Sequence, residues 1–309
     1  MKTDPKAFPR LPQVRTAEGD TTEGALILEG GSFRGVYTAG VCDVLMEHGI
    51  HLQTVVGVSA GTLNGLNVVS RQIGRFARIA ILHREDTRYT GWRAFLTDRG
   101  VIGFRFILHT AEKIIPYDRT FLFDGTRRLV TVATDIESGE PVYAESGTCS
   151  DFFRMVKASA SLAFASRIVR FEGKKLLDGG YTVSVPLDWA DAHGYRKKVV
   201  ILTQSIDSRK TAVGDKKKKL FARFYKRYPA FLKAVENVPE RYNELRERMQ
   251  HRADAGEIFV IAPQTELNVS KTEKDTKKLY ALYLQGREDA ERAIPALTEY
   301  LGKRHSGTF

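Results

Sequence analysis

The pentapeptide Gly57-Val58-Ser59-Ala60-Gly61 constrains this chain more than any other feature, because of where it falls. It ends an apolar run, Thr54-Val55-Val56-Gly57-Val58, and opens a helical pattern through Leu63, Leu66 and Asn67. Glycines two residues either side of a serine, at a strand-to-helix turn, are the signature of a nucleophile elbow. The turn is too tight for larger side chains, and the serine projects from it beside an electropositive helix N-terminus. A glycine-rich turn with a serine N-cap and no chemistry accounts for the same residues.

The preceding stretch repeats the pattern. Ala25-Leu26-Ile27-Leu28-Glu29 reads as a buried parallel strand, and Gly30 to Gly35 as a tight loop. Val36 to His48 has helical spacing and stops at Gly49, a glycine C-cap. Strand, tight loop and helix, twice over, imply a parallel sheet with right-handed crossovers. Further strands are expected at 128–134, 141–145, 197–204 and 257–262, with a hairpin at 168–171 and 175–177 turning on Glu172-Gly173. Helices are expected at 151–163 and 186–194, across the charged stretch 215–251, and, as one or two pieces, at 274–301. The predicted fold is a three-layer α/β/α catalytic domain around a mainly parallel sheet, with a mainly helical C-terminal region. The expected boundaries are a loose leader at 1–23, the catalytic domain at 24–207, and an α-rich extension at 208–309 packed upon it. A lid over residues 71–127 is left open; the aromatics of that stretch are the candidate wall for an apolar substrate.

Two other glycine-bearing turns complete a set. In Gly30-Gly31-Ser32-Phe33-Arg34-Gly35, consecutive small residues leave backbone N–H groups free to converge on an anion. As a dinucleotide fingerprint this loop is poor, since Ser32 replaces the second glycine and the next strand ends in Ser59 where a ribose-binding acid belongs. As an oxyanion loop it lies one strand before the serine and beside it in a parallel sheet. Asp178-Gly179-Gly180, after Leu176-Leu177, is an ordinary turn signal taken alone and gains meaning only as the third member.

A glycine-rich loop ending in Arg34-Gly35, then Gly57-Val58-Ser59-Ala60-Gly61, then Asp178-Gly179-Gly180, resembles the patatin-like phospholipase family over residues 25–192. The resemblance implies a Ser59–Asp178 dyad without a histidine. It further implies an oxyanion hole from Gly30, Gly31, Ser32, Arg34 and Gly35, with Gly57 and Gly61 shaping the elbow and Gly179 and Gly180 the acid loop. The family usually has glycine at position 32. Lys157-Ala158-Ser159-Ala160-Ser161 resembles the family's Ala-Ser helix without its following proline. Ile258 to Pro263 and Tyr283 to Gly286 look like the tail of a bacterial subgroup. The activity implied is hydrolysis of carboxylic esters in phospholipids or lysophospholipids, with no metal or organic cofactor.

Two rival readings stay open. One is a triad esterase, for which His193 satisfies the chain order Ser, Asp, His and His251 could also serve. The other is a non-catalytic nucleotide-binding or regulatory module. His193 and His48 both read as helix-end residues, and the histidines show no metal-ligand spacing.

The net charge is +11, and its densest part is Lys216-Lys217-Lys218-Lys219, continuing through Arg223, Lys226 and Arg227. Aromatic residues interleave with these cations at near-helical spacing. Segment 216–233 can therefore be read as a core-facing stripe with a solvated basic face, as a peripheral membrane contact, or as a phosphate grip for nucleic acid. The partner expected is an acyl lipid; nucleic acid is not expected. Two cysteines make no disulfide framework, and the first residues carry no apolar signal region, so a cytoplasmic location, at most peripheral on the inner membrane surface, is expected.

Overall fold

Residues Ala25 and Ile27 of the first apolar run pack on one side with Leu187, Ala190, Leu245 and Met249, whereas Leu26 and Leu28 pack on the other with Val36, Tyr37 and Val55. A strand whose alternate residues enter two different cores must lie between two helical layers, which is why the run reads as continuously apolar. The computed structural model describes residues 4–302 apart from 266 and 271. The ends of the expected leader and extension, residues 1–3 and 303–309, thus lie outside the described residues.

The first half of the chain forms β1 (Arg15–Thr16), β2 (Thr21–Leu28), α1 (Gly35–Glu47), β3 (His51–Val58), α2 (Ala60–Val69), β4 (Gln72–Ile73), α3 (Arg75–Leu82), α4 (Trp92–Asp98), α5 (Ala111–Ile114), α6 (Arg119–Phe123), β5 (Arg128–Asp135) and β6 (Pro141–Glu145). The second half forms α7 (Phe152–Ser159), β7 (Val169–Phe171), β8 (Lys174–Asp178), α8 (Leu187–Ala192), β9 (Lys198–Ile201), α9 (Asp215–Tyr225), α10 (Pro229–Glu236), α11 (Val238–Asp254), β10 (Phe259–Ile261) and α12 (Thr276–Tyr300). Five strands run parallel in the order β10-β9-β2-β3-β5, and β6, β7 and β8 add antiparallel pairings at the β5 end. The sheet is mixed and mostly parallel, flanked by helices, with the C-terminal helices packed around it.

Residues 4–23, read as a loose leader, are tied down. Phe8 and Leu11 are buried, Arg15–Thr16 pairs with Gln72–Ile73, and β2 already begins at Thr21. The C-terminal stretch is likewise less separate than a packed extension, since β10 pairs in parallel with β9 at the sheet edge. Its last helix, α12, meets α1 through two glycines. A Cβ on Gly40 would stand 2.2 Å from the Tyr283 carbonyl oxygen, and one on Gly286 would stand 2.2 Å from that of Tyr37. Only hydrogen at both positions lets the backbones approach so closely. Between these helices Asp43 is buried, accepting from the Tyr283 hydroxyl at 2.8 Å and from the Gly74 N–H at 2.9 Å. Burial pushes its carboxyl up to about 7, against the opposing pull of those two donors and of Arg287.

Candidate active site

Strand β5 brings the two distant turns together. Its residues Arg128–Val132 pair with β3 in parallel, and Ala133–Asp135 pair with β8 antiparallel. Its opposite edge is occupied continuously by β6, through Val130–Thr134. Strands β3 and β8 therefore share one edge of β5 and meet end to end: Val58 lies opposite Val132, and Asp178 opposite Ala133. The residue after Val58 is Ser59. Consecutive rungs of one ladder thus carry the serine turn and the aspartate.

At this junction Ser59 Oγ donates to Asp178 Oδ2 at 2.7 Å, with both side chains buried. Ser59 has φ +56° and ψ −120°, a conformation rare for a non-glycine residue and characteristic of a strained elbow. Gly61 makes the turn possible, because a Cβ there would stand 2.3 Å from the Leu28 carbonyl oxygen. The Ser59 N–H donates to Ser159 Oγ at 2.9 Å, and Ser159 joins Thr62 and Thr131 in a chain of buried hydroxyls. Two residues on, the Ser161 carbonyl accepts the Asp178 N–H at 2.8 Å. The Ala-Ser segment at the end of α7 thus holds both members of the pair by their backbones.

Asp178 has a second acceptor site in use. Its Oδ1 takes the Gly180 N–H at 2.8 Å, which fixes the carboxylate plane and leaves Oδ2 to the serine. Thr134 Oγ1 donates to the Asp178 carbonyl at 2.9 Å. Tyr181, immediately after the acid loop, is half-buried, with its hydroxyl accepting from the Ala163 N–H. Burial, reinforced by the neighbouring Asp178, pushes its phenol up.

The glycine loop is a helical turn leading into α1. The Arg34 N–H donates back to Gly31 O, and the Gly35 N–H to Ser32 O and Phe33 O. The N–H groups of Ser32 and Phe33 precede the first of these bonds, as the leading donors of any helix do. Ser32, where the resemblance leads one to expect glycine, has φ +51°, a left-handed backbone. Of the expected donors, Gly30, Arg34 and Gly35 already have partners: the Gly30 N–H goes to Ser184 O at 3.3 Å, and the other two close the turn. Phe33, which sequence reasoning passed over, carries one of the leading amides. The loop is braced from below by Glu29. This buried carboxylate takes Thr203 N at 2.6 Å, Tyr242 Oη at 3.1 Å and Arg246 Nη2 at 3.0 Å.

A cavity of about 230 Å³ opens over Ser59, Ala60, Ser32 and Phe33. Its walls are mainly apolar and include Val36, Leu63, Phe76, Tyr89, Phe104 and Ile107, most of them from the aromatic-rich stretch 71–127. Arg84 forms part of the wall, with its guanidinium 4.3 Å over the Phe33 ring. Among the described residues no group of acids, histidines and cysteines is arranged to hold a metal ion.

His193 is not at this site. It ends α8, stacks on Trp189 with ring centroids 3.8 Å apart, and its Nδ1 lies 2.7 Å from Trp189 O. Two residues later Tyr195 Oη bonds Thr54, at the start of the stretch of β3 that Ser59 follows. Thr54 lies five residues before Ser59 along the chain, and the structure does not bring His193 to the Ser59–Asp178 contact. His251 lies exposed in the last turn of α11.

Comparison with known proteins gives the following matches. Residues 26–191, more than half of the chain, match the family profile described as patatin-like phospholipase. Residues 228–302 match one described as a domain of unknown function (DUF6363). The chain is 26% identical over 184 residues to the uncharacterized protein YjjU of Escherichia coli, covering 58% of this chain and 51% of that protein. It is 29% identical over 193 residues to lysophospholipase NTE1 of Scheffersomyces stipitis, covering 60% of this chain and 12% of that one. It therefore spans about half the length of the first relative and a small part of the second. The crystal structure of VipD from Legionella pneumophila aligns with a TM-score of 0.45 at 14% identity, over 93% of this chain and 70% of that one.

Proposed function

Because the chain belongs to the patatin-like phospholipase family, we propose that it is a serine acyl hydrolase cleaving carboxylic esters of phospholipids or lysophospholipids through Ser59 and Asp178. The observation that carries the reading is the 2.7 Å contact between Ser59 Oγ and Asp178 Oδ2, buried beneath an apolar cavity. In this mechanism Ser59 Oγ attacks the ester carbonyl while Asp178 Oδ2 takes its proton. The charge that develops on the carbonyl oxygen is met by the N–H groups of Ser32, Phe33 and Ala60, the leading donors of two helical segments that line the cavity. Collapse expels the alcohol, which leaves with the proton from Asp178. Water then attacks the acyl-enzyme, again giving a proton to Asp178 and returning one to Ser59 as the fatty acid departs.

A carboxylate is a weak base for a serine hydroxyl, so alignment and the amide donors must supply most of the acceleration. The alignment is built in: one oxygen of Asp178 is committed to Gly180 and the other already touches the nucleophile. The leaving alcohol is read as a glycerol hydroxyl of a phospholipid that keeps its phosphate headgroup, met at a membrane through the basic segment 216–233. Among the described residues no helix is long and apolar enough to cross a membrane.

The test is covalent labelling. A fluorophosphonate probe, mapped by mass spectrometry, attaches to Ser59, and labelling falls away in proportion as phospholipid is added. A protein that hydrolyses none of a panel of phospholipids and lysophospholipids, and leaves the probe unreacted, is not this enzyme.

A further inference from the structure

The cavity over Ser59 opens between two apolar patches that the fold leaves uncovered. On α4, Trp92, Phe95 and Leu96 are 60%, 61% and 67% exposed, while Ala94 on the other side of the helix is buried. Spacing of i, i+3, i+4 ordinarily marks the face of a helix turned to the core; here it is turned to water. On α9, Phe221 and Tyr225 point inward, and Leu220 and Phe224, each one residue earlier, point out and are 45% and 62% exposed.

Phe164 joins the two patches. Its ring lies 4.8 Å from that of Phe221 and 5.6 Å from that of Phe224, and is itself 44% exposed. Its backbone is left-handed, φ +66°, an uncommon conformation for a bulky residue and one that collects at functional sites. The next residue, Ala165, lines the cavity and accepts the Val101 N–H at 2.7 Å. Gly91 and Val101, which bracket α4, line the cavity too. The two patches are therefore parts of one rim around its mouth.

Cations flank both parts. Lys216, Lys217, Lys218, Lys219 and Arg223 are exposed on α9, and Arg93 and Arg99 on or beside α4. Lys218 meets an acid, Glu236, only at 3.9 Å. Exposed aromatic and aliphatic side chains ringed by cations fit the boundary between acyl chains and anionic headgroups. A nucleic acid would use the charge and leave the rings unexplained, while a neutral apolar partner would use the rings and leave the charge unexplained.

The geometry points to this rim as a docking surface that seats the protein on an anionic bilayer with the cavity mouth against the lipid. It rests on the hydrolase reading given above and adds the route of the substrate: an acyl chain passes from the bilayer into the cavity between α4 and Phe164 without crossing water.

Binding is measured by co-sedimentation of the Ser59→Ala protein, which leaves lipid intact, with vesicles of phosphatidylcholine alone or mixed with phosphatidylglycerol. Turnover of a soluble short-chain ester by the unmodified protein is measured in parallel. The protein is expected to sediment with the mixed vesicles. The pair Phe95→Ser and Leu96→Ser, and separately Phe224→Ser, weaken partitioning about tenfold each through lost apolar insertion. Lys216→Gln, Lys217→Gln, Lys218→Gln and Lys219→Gln together weaken it about a hundredfold or more and abolish the preference for the anionic lipid. Circular dichroism establishes that each variant is folded. Folded variants that sediment like the parent, or a parent that ignores the mixed vesicles, overturn the docking surface. So does a dimer seen by light scattering that these same substitutions dissolve. Vesicle binding without ester turnover overturns the hydrolase reading alone, and turnover of the soluble ester without vesicle binding overturns the docking surface alone.

Discussion

Arg246, on α11, donates to Glu29 at 3.0 Å, and both side chains are almost wholly buried directly beneath the glycine loop. A buried ion pair costs desolvation on both sides, and removing one partner strands the other's charge. Arg246→Met is expected to lower stability by about 3–5 kcal/mol, read as a fall in the thermal midpoint. A midpoint that stays put would mean that Thr203 and Tyr242 suffice to hold Glu29.

Turnover isolates the pair at the centre of the site. Ser59→Ala and Asp178→Asn are each expected to cut ester hydrolysis by about a thousandfold or more, since neither attack nor proton transfer survives alone. His193→Ala is expected to match the parent, because that imidazole is stacked on Trp189 and bonded to its carbonyl, away from the Ser59–Asp178 contact. Activity retained by Asp178→Asn would require another base.

Ser159 supplies a different kind of check. Its hydroxyl accepts the Ser59 N–H, so Ser159→Ala leaves a buried donor unmet at a cost of about 1–3 kcal/mol. Turnover should fall through kcat with little change in KM, because the side chain touches the elbow and not the substrate. A pure KM effect would argue against this role.

Ser32 occupies a left-handed backbone, at a cost of about 1–2 kcal/mol for a residue with a Cβ. Ser32→Gly removes that strain while loosening the unfolded chain, and so should leave stability level or raise it by up to about 1 kcal/mol. Ser32→Val should destabilise, since a β-branched residue tolerates positive φ poorly. Chemical denaturation of the two variants gives the comparison, and equal midpoints would contradict the strained turn.

Asp43 gives a pH dependence with a definite sign. Its folded value of about 7 lies above its ordinary 3.8, so the folded protein holds a proton that the unfolded chain has lost across that interval. Stability contributed here therefore declines as pH rises from about 4 to about 7 and is level on either side. Asp43→Asn should flatten that slope in denaturation measured across the range. An unaltered slope would assign it to other groups.

The strand-turn-helix repeats, and the three glycine-bearing turns, were legible because each rests on local sequence. Residues 25–28 are apolar on both faces, and Gly57 to Gly61 carry their spacing with them. The meeting of Ser59 with Asp178 is not local. It depends on β3 and β8 sharing an edge of β5, a pairing across 119 positions of chain that no periodicity encodes. The donors of the glycine loop were only half legible, since which N–H groups stay uncommitted depends on Ser184 and on the handedness of Ser32. Glu29 could have been noticed as a lone acid closing an apolar strand, but nothing near Arg246 in sequence marks it as the partner. The α4 stripe was visible as Trp92, Phe95 and Leu96, yet spacing alone cannot tell a face that meets the core from one left bare.

The brace under the glycine loop also sets an order of events during synthesis. Glu29 leaves the ribosome 217 positions ahead of Arg246, and until α11 follows, its carboxylate has no cation waiting in the interior. A nascent chain halted before Tyr242 should therefore leave the Gly30–Gly35 turn open to proteolysis, with protection arriving only once α11 is out. Protection already present in the shorter chain would show that the turn closes without its counterion.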